Sequence, residues 1–286
     1  MAERKPSVVL GGKGMLGADL VAAIEADGTF APALVGDLPE VDITREDSLA
    51  RFLKDHKPRV VFNCAAYTNV DGCESRSEEA YAVNATGAGN AATAAARIGA
   101  RLIHVSTDFV FDGALRRPYE ETDPPAPLSV YGRSKLAGEK AVAERGGAWA
   151  IARTAWLYGG HGGKNFVDLM SRLCREKEEL KVVTDQVGSP TWSADLAEAL
   201  VVMAKRGAEG VFHAANDGAC SRFEWVECIV EYAGLATRLV PADSSAFPRP
   251  ATVPAYSALS VAKLRRETGH AMRPWAEALR EYLSGP

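Results

Sequence analysis

From Ser7 onward, short apolar runs rich in β-branched residues alternate with longer stretches whose apolar residues recur every three or four positions. "SVVLGG" (7–12) predicts a buried strand, and the segment 15–26 a helix. "PALVGD" (32–37) predicts a second strand. "TREDSLARFLKDH" (44–56) reads as a helix with Thr44 as N-cap and Asp47 as its capping-box partner. "RVVFNCA" (59–65) is a third strand, and "SEEAYAVNATGAGNAATAAARIG" (77–99) one long helix of small residues. "RLIHVST" (101–107), "WAIARTAWLYG" (149–159) and "LKVVTDQ" (180–186) continue the strand series. Strands separated by helices pair in parallel through right-handed crossovers, with helices on both faces. The expected fold class is therefore α/β, a doubly wound parallel sheet of Rossmann type.

Past residue 187 the alternation loosens. Segments 221–235 and 260–283 read as helices around the proline-rich stretch "PADSSAFPRPATVPAYS" (241–257). The expected organisation is a dinucleotide-binding unit over 1–155 and a smaller, mostly helical substrate-binding lobe over 156–286. Segments near 180–216 are expected to return to the sheet.

Composition narrows the partners. With 286 residues, 47% hydrophobic and 24% charged, the chain has ample core material. A formal net charge of -4 argues against nucleic acid or an anionic membrane as the main partner. No apolar run approaches the roughly 18 residues that span a bilayer. "MAERKPS" leads directly into a strand without a signal-peptide core. Five cysteines, without a CxxC pair, fit reduced thiols in a cytoplasm. The five histidines show no metal-ligand spacing such as HExxH, so no metal is expected, and His104 is expected to pack inside the fourth strand.

In a doubly wound sheet, ligands sit beyond the carboxyl ends of the strands. The first such junction, "GGKGMLGADL", places Gly11, Gly14 and Gly17 where a tight turn meets a helix N-terminus. Glycines there allow a backbone to approach a pyrophosphate, and the helix end supplies free N–H groups. Asp37 ends the second strand, where a carboxylate accepts ribose hydroxyls and repels a 2′-phosphate, which favours NADH. Lys13 is the one nearby group that would assist NADPH. Asp42 and Ile43 follow as an acid and an aliphatic able to bracket an adenine.

The fourth strand ends in "STDFVFDG" (106–113), and the next helix carries "YGRSK" (131–135). Tyr131 and Lys135 are i and i+4 neighbours on one helix face. By itself this spacing marks only a polar face; its placement after a strand-end hydroxyl gives it chemical sense. A phenol ionises near pH ~10, and a neighbouring ammonium is expected to lower that value. Tyr131 then protonates a carbonyl oxygen as hydride reaches its carbon, while Thr107 (or Ser106) orients that oxygen.

These residues resemble the extended short-chain dehydrogenase/reductases. Along the chain, "NCAAYTNVDGCE" (63–74), "STDFVFDG", "YGRSKLAGE" (131–139), "RTAWLYGGHGGKNFV" (153–167) and "DQVGSPT" (185–191) resemble the successive motifs of the dTDP-4-dehydrorhamnose reductase family. The resemblance implies NAD(P)H-dependent reduction of a 4-keto nucleotide sugar in the cytoplasm, by a chain able to form a homodimer. Position by position, it implies that Gly11, Gly14, Met15, Leu16, Gly17, Asp37, Asp42, Ile43, Ala65, Ala66, Tyr67, Tyr131 and Lys135 line the cofactor, NADPH or NADH. Thr107, Tyr131 and Lys135 would be catalytic. Thr107, Asp108, Phe109, Trp156, Asn165 and Gln186 would meet the substrate, Trp156 against the sugar's apolar face and Asn165 and Gln186 through their amides. A strand-end core position is the alternative for Trp156.

Two positions depart from the pattern. Phe109 stands where many members have tyrosine, and Val253 where an arginine usually precedes proline. Valine cannot replace a bidentate diphosphate partner; Arg249, four residues upstream, is the candidate substitute. The alternatives are a reductase of another nucleotide-linked keto sugar, or a non-catalytic NAD(P)-binding subunit like the regulatory subunit of methionine adenosyltransferase.

Overall fold

The computed structural model describes residues 6–161 and 165–285. The first five residues, read above as leading into a strand, and positions 162–164 of the "RTAWLYGGHGGKNFV" motif lie outside them. Six strands pair in parallel: β1 (Ser7–Leu10), β2 (Ala33–Gly36), β3 (Val60–Asn63), β4 (Arg101–Thr107), β5 (Trp149–Thr154) and β6 (Gly210–His213). Their spatial order is β6-β5-β4-β3-β1-β2. The chain thus winds outward from β1 in one direction and from β3 in the other, opening a crevice at the carboxyl ends of β1 and β3.

Side-chain alternation along the strands builds a core on each face. Val9, Phe62, Ile103 and Ala152 join Leu16, Leu20 and Ile24 of α1 (Met15–Asp27). Val8, Leu10, Val61, Leu102 and Ile151 point the other way, onto Leu49 and Leu53 of α2 (Glu46–His56). Both sets are buried, each such side chain contributing roughly 1.5–3 kcal/mol. The doubly wound expectation holds because runs such as "SVVL", buried at every position, have apolar neighbours on both sides.

Several local expectations fail, each for a tertiary reason. Thr44 is not the N-cap of α2: Arg45 occupies that place without a side-chain capping bond, and the Thr44 hydroxyl donates to Asp42 Oδ1 at 2.7 Å. The helix expected over 77–99 divides after α3 (Val70–Ser75) into α4 (Ser77–Tyr81), a π-helical stretch Ala82–Gly87, and α5 (Ala88–Arg97). The wider turns let Asn84 face inward, with buried side-chain bonds to two other elements. The strand expected over 149–159 ends at Thr154, because Trp156 adopts φ 45° and turns the chain out of the sheet. Leu157–Tyr158 then pairs with Thr191–Trp192.

The segment expected to return at 180–186 does not join the large sheet. Glu179–Val183 pairs in parallel with Arg238–Ala242 instead. The sheet receives β6, reached through α8 (Ser193–Arg206), which packs Leu196, Leu200 and Met203 on the same core as α1. The remaining helices after α6 (Val130–Glu144) are α7 (Phe166–Glu176), α9 (Arg222–Tyr232), α10 (Ala262–Thr268) and α11 (Trp275–Ser284). Tyr158, Val167, Trp225, Ile229 and Leu279 unite α7, α9 and α11 in a separate apolar cluster. No helix among the described residues is long and apolar enough to cross a membrane. All five cysteines are unpaired.

Candidate active site

The glycine turn has the shape the sequence implied. Gly11 adopts φ 75°, and a Cβ there would meet Ala65 N at 2.7 Å. A Cβ on Gly17 would meet the Gly11 carbonyl at 2.2 Å, so only glycine lets α1 start this close to β1. Gly14 caps α1 with backbone alone, and no acidic residue occupies the helix's first turn. The N-terminal N–H groups beginning at Met15 and Leu16 thus keep their positive field for an anion.

Asp37, at the end of β2, accepts the Lys13 N–H at 2.9 Å and the Leu38 N–H at 2.8 Å, fixing its carboxylate beside the turn. The Lys13 ammonium reaches the Leu38 carbonyl (2.8 Å) and Glu40 (3.2 Å). Asp42 spends one carboxylate oxygen on Thr44 N and Oγ1. Ile43 is buried against Gly87, whose Cβ would lie 2.7 Å from its Cδ1, and its carbonyl accepts from Asn90. After β3, Ala65 N donates to Asn63 Oδ1 at 3.2 Å. Tyr67 is held on both sides of its peptide by Asn84, which accepts its N–H at 2.8 Å and donates to its carbonyl at 3.1 Å. Ala65, Ala66 and Tyr67 are all partly exposed on this rim.

Asn84 also donates to Ser134 Oγ at 3.0 Å, and Ser134 bonds the Tyr131 carbonyl at 2.8 Å. A Cβ on Gly138 would meet the Asn84 carbonyl at 2.1 Å, so α6 lies directly on the π-helical stretch. Asn84 therefore ties the Tyr67 loop to the helix bearing Tyr131 and Lys135. Its sequence signal was faint: one of two amides within a run of alanines and glycines.

Lys135 is buried and donates from Nζ to the Val105 carbonyl at 2.7 Å. Desolvation pulls its ammonium down to about 8, against the opposing charges of Glu139 and Cys64. The expected lowering of the Tyr131 phenol does not occur. Burial pushes it well above the ordinary tyrosine range; the nearby Thr107 hydroxyl opposes this, while Asp108 and Cys73 add to it. Desolvation dominates, and the Lys135 ammonium is tied to a backbone carbonyl. Tyr131 is thus held neutral, with its proton in place. Phe109 lies edge-on to its ring at 5.5 Å.

Behind this group, Glu139 continues the Tyr131–Lys135 face one further turn. It accepts Ser106 Oγ at 2.6 Å and forms a buried two-point pair with Arg153 at 2.9 and 2.7 Å. Its spacing after Lys135 was legible, but its partners on β4 and β5 were not. His104 is buried in β4 beside Asn63, well below the usual histidine range because of burial and then Lys135.

Toward the substrate side, Thr107 Oγ1 bonds Asp108 Oδ1 at 3.0 Å and accepts the Phe109 N–H at 3.2 Å. Asp108 is buried, and desolvation raises its carboxyl to about 6 against the opposing influence of the nearby Ser257 and Thr107 hydroxyls and the charge of Arg222. Its Oδ2 has no partner among the described residues. Trp156 stacks on Trp225 with ring centres 5.4 Å apart, and a Cβ on Gly188 would strike its indole at 2.3 Å. One face lies under the Arg222 guanidinium at 3.5 Å, so the indole is a platform for arginine rather than a bare surface. The Gln186 carbonyl accepts the Arg222 N–H at 3.0 Å.

Asn165 departs from expectation. Its Oδ1 caps α7 through Asp168 N at 3.0 Å, and its amide donates to the Gly159 carbonyl at 2.8 Å and to Asp168 at 2.7 Å. It is a buried helix cap with its groups already engaged. Asp185 likewise fastens a loop, accepting Ser244 Oγ at 2.7 Å. Arg249, the candidate diphosphate partner, is gripped by Asp71 at 3.0 and 3.1 Å.

A glycine turn open to an anion, joined through β4 to a threonine, a buried lysine and a neutral phenol, defines an oxidoreductase of the extended short-chain dehydrogenase/reductase type. Residues 6–285 match the family model "RmlD substrate binding domain", and the chain belongs to that family. A dTDP-4-dehydrorhamnose reductase of Mycobacterium tuberculosis is 47% identical over 98% of this chain and 92% of its own length. The Bacillus subtilis spore coat polysaccharide biosynthesis protein SpsK is 40% identical over 96% of both chains. The crystal structure of a Bacillus anthracis dTDP-4-dehydrorhamnose reductase in complex with NADP superposes with a TM-score of 0.95 at 36% identity, covering 99% of this chain and all of that one.

Proposed function

We infer that the chain reduces the 4-keto group of dTDP-4-dehydro-L-rhamnose to give dTDP-L-rhamnose, with NADPH or NADH as reductant. The observation that carries this reading is the convergence of Thr107, Tyr131 and Lys135 beside a glycine turn whose helix N-terminus is free of acidic side chains. The relatives' names and the NADP-bound neighbour support the substrate and the cofactor.

The residues present fit a dinucleotide. Gly11, Gly14 and Gly17, with the N–H groups of Met15 and Leu16, would hold the pyrophosphate. Asp37 would receive the adenosine ribose, Asp42 and Ile43 would flank the adenine, and Ala65, Ala66 and Tyr67 would line the path to the nicotinamide. Asp37 favours NADH, and Lys13 is the group placed to welcome NADPH. When bound, the reduced cofactor supplies hydride to the C4 carbon of the sugar.

The chain supplies the proton. Tyr131 keeps its hydroxyl neutral by burial and releases that proton to the C4 oxygen, becoming phenolate as the carbonyl becomes an alcohol. Lys135, a turn away, offsets the phenolate charge and would hold the nicotinamide ribose. Thr107 orients the carbonyl oxygen for both transfers. Because Lys135 loses its proton near pH 8, turnover in this direction should fall as pH rises through about 8.

The substrate-binding lobe in this reading spans 156–286, apart from the stretch through α8 and β6 that serves the sheet. Free thiols throughout favour a cytoplasmic setting. The test is oxidation of NAD(P)H with dTDP-4-dehydro-L-rhamnose, the product being identified by NMR. Turnover of this sugar no faster than of unrelated keto sugars would overturn the reading. Val253 in the family's arginine position favours, as the second reading, another nucleotide-linked keto sugar, which the same assay with a substrate panel would reveal.

A further inference from the structure

Arg222 opens α9 at the mouth of the site. Its guanidinium lies 3.5 Å from the Trp156 ring centre, 4.7 Å from Phe166 and 5.3 Å from Trp225. The residue is only partly exposed. Among the described residues its backbone N–H is engaged by Gln186, but its guanidinium forms no ion pair and no hydrogen bond. Desolvation in this aromatic box works against its charge, and Asp108 partly restores it.

Asp108 is the other unsatisfied charge here. It is buried, its Oδ2 is without a partner among the described residues, and it feels Arg222 without bonding to it. Arg222 thus keeps its hydrogen-bond donors free among the described residues, beside a buried carboxylate whose charge it feels. Stacking on Trp156 fixes the plane of the guanidinium, so its N–H donors point edgewise, the geometry that meets two phosphate oxygens. The alternative arginine is committed: Arg249 donates through Nε and Nη2 to both oxygens of Asp71, and Asp71 also accepts the Ala251 N–H at 3.1 Å.

We propose that Arg222 is the diphosphate anchor of the nucleotide-sugar site, replacing the arginine whose place Val253 occupies. This rests on the nucleotide-sugar reading above. It fixes the direction of the bound substrate: diphosphate toward α9 and sugar toward the end of β4.

The test is calorimetric titration of dTDP and dTMP into the NADPH-saturated protein, as wild type and as Arg222→Met, Arg222→Lys and Arg249→Met. Arg222→Met should weaken dTDP at least about 30-fold, the loss expected when one partner of a desolvated charge pair is removed. It should weaken dTMP much less and leave NADPH affinity unchanged. Arg222→Lys, which keeps the charge but lacks the planar fork, should recover only part of the loss. Arg249→Met should stay within about threefold of wild type. If Arg222→Met does not fold, a loss in Arg222→Lys that exceeds the loss in Arg249→Met supports the assignment, and the reverse order overturns it. Wild-type dTDP binding with Arg222→Met unaffected, or a larger loss in Arg249→Met, overturns the anchor alone. A wild type that binds no dTDP overturns both the anchor and the nucleotide-sugar reading.

Discussion

The two corners of the site are built on opposite terms. Around the glycine turn and α6, polar groups are committed to the protein itself: Asp37 to the turn, Asn84 to the Tyr67 loop and Ser134, Lys135 to Val105, and Glu139 to Arg153. Around the end of β4 and the start of α9, Asp108 and Arg222 remain without full partners among the described residues. The first corner is rigid before any ligand arrives, as proton and hydride transfer require. The second holds charges that a ligand must complete, which makes binding there sensitive to the ligand's own charges. Reaction chemistry and substrate choice are therefore separable in this fold.

The largest effect should come from the rigid corner. Tyr131→Phe removes the proposed proton donor and should lower kcat by roughly 10²–10⁴-fold, with NADPH affinity retained in a fluorescence titration. Equal turnover in the variant would break the division drawn here.

Asp108 offers a test in the open corner. Its carboxyl is raised from 3.8 to about 6, so the folded state binds its proton more tightly than the unfolded chain. The associated stabilisation is complete below the unfolded value and disappears as pH rises through about 6. The difference amounts to about 3 kcal/mol. Urea unfolding of the wild type at acid and neutral pH should show this loss, and Asp108→Asn should lack that part of the pH dependence.

Asn84→Ala should cost roughly 1–3 kcal/mol, because it removes both hydrogen bonds to the Tyr67 peptide and the donor to Ser134. It should also lower kcat more than it raises the KM for the sugar nucleotide, since the Tyr67 loop and α6 lose their common tie. The smallest effect is expected at Asn165. Its replacement by alanine should cost about 1 kcal/mol as a lost helix cap, with the KM for the nucleotide sugar little changed. A selective rise in KM would return Asn165 to the substrate-contacting set.

The same contrast governs what was legible in the chain. Gly11, Gly14, Gly17 and Asp37 could be recognised because a turn, a helix start and a strand end lie close together in sequence. Tyr131 and Lys135 were legible because one helical turn joins them. The raised Tyr131 phenol was not, since it depends on burial contributed by distant segments. Asn84 acquires its role only where a π-helical stretch meets α6, and Trp156 only where a positive φ swings it beneath Arg222. The strand at 179–183 reads like any sheet strand; its partner, 238–242, lies far along the chain, and no local pattern names it.

Sequence alone determined the alternation of strands and helices, the glycine turn and the Tyr131–Lys135 spacing, because these follow from side-chain period and from residues within a few positions of each other. Tertiary structure decided which charges are spent and which are left over. Asp71 claims Arg249, while Trp156, Phe166 and Trp225 hold Arg222 without neutralising it. Whether a cation is paired depends on what folding brings within a few ångströms, and no local pattern in the chain specifies that.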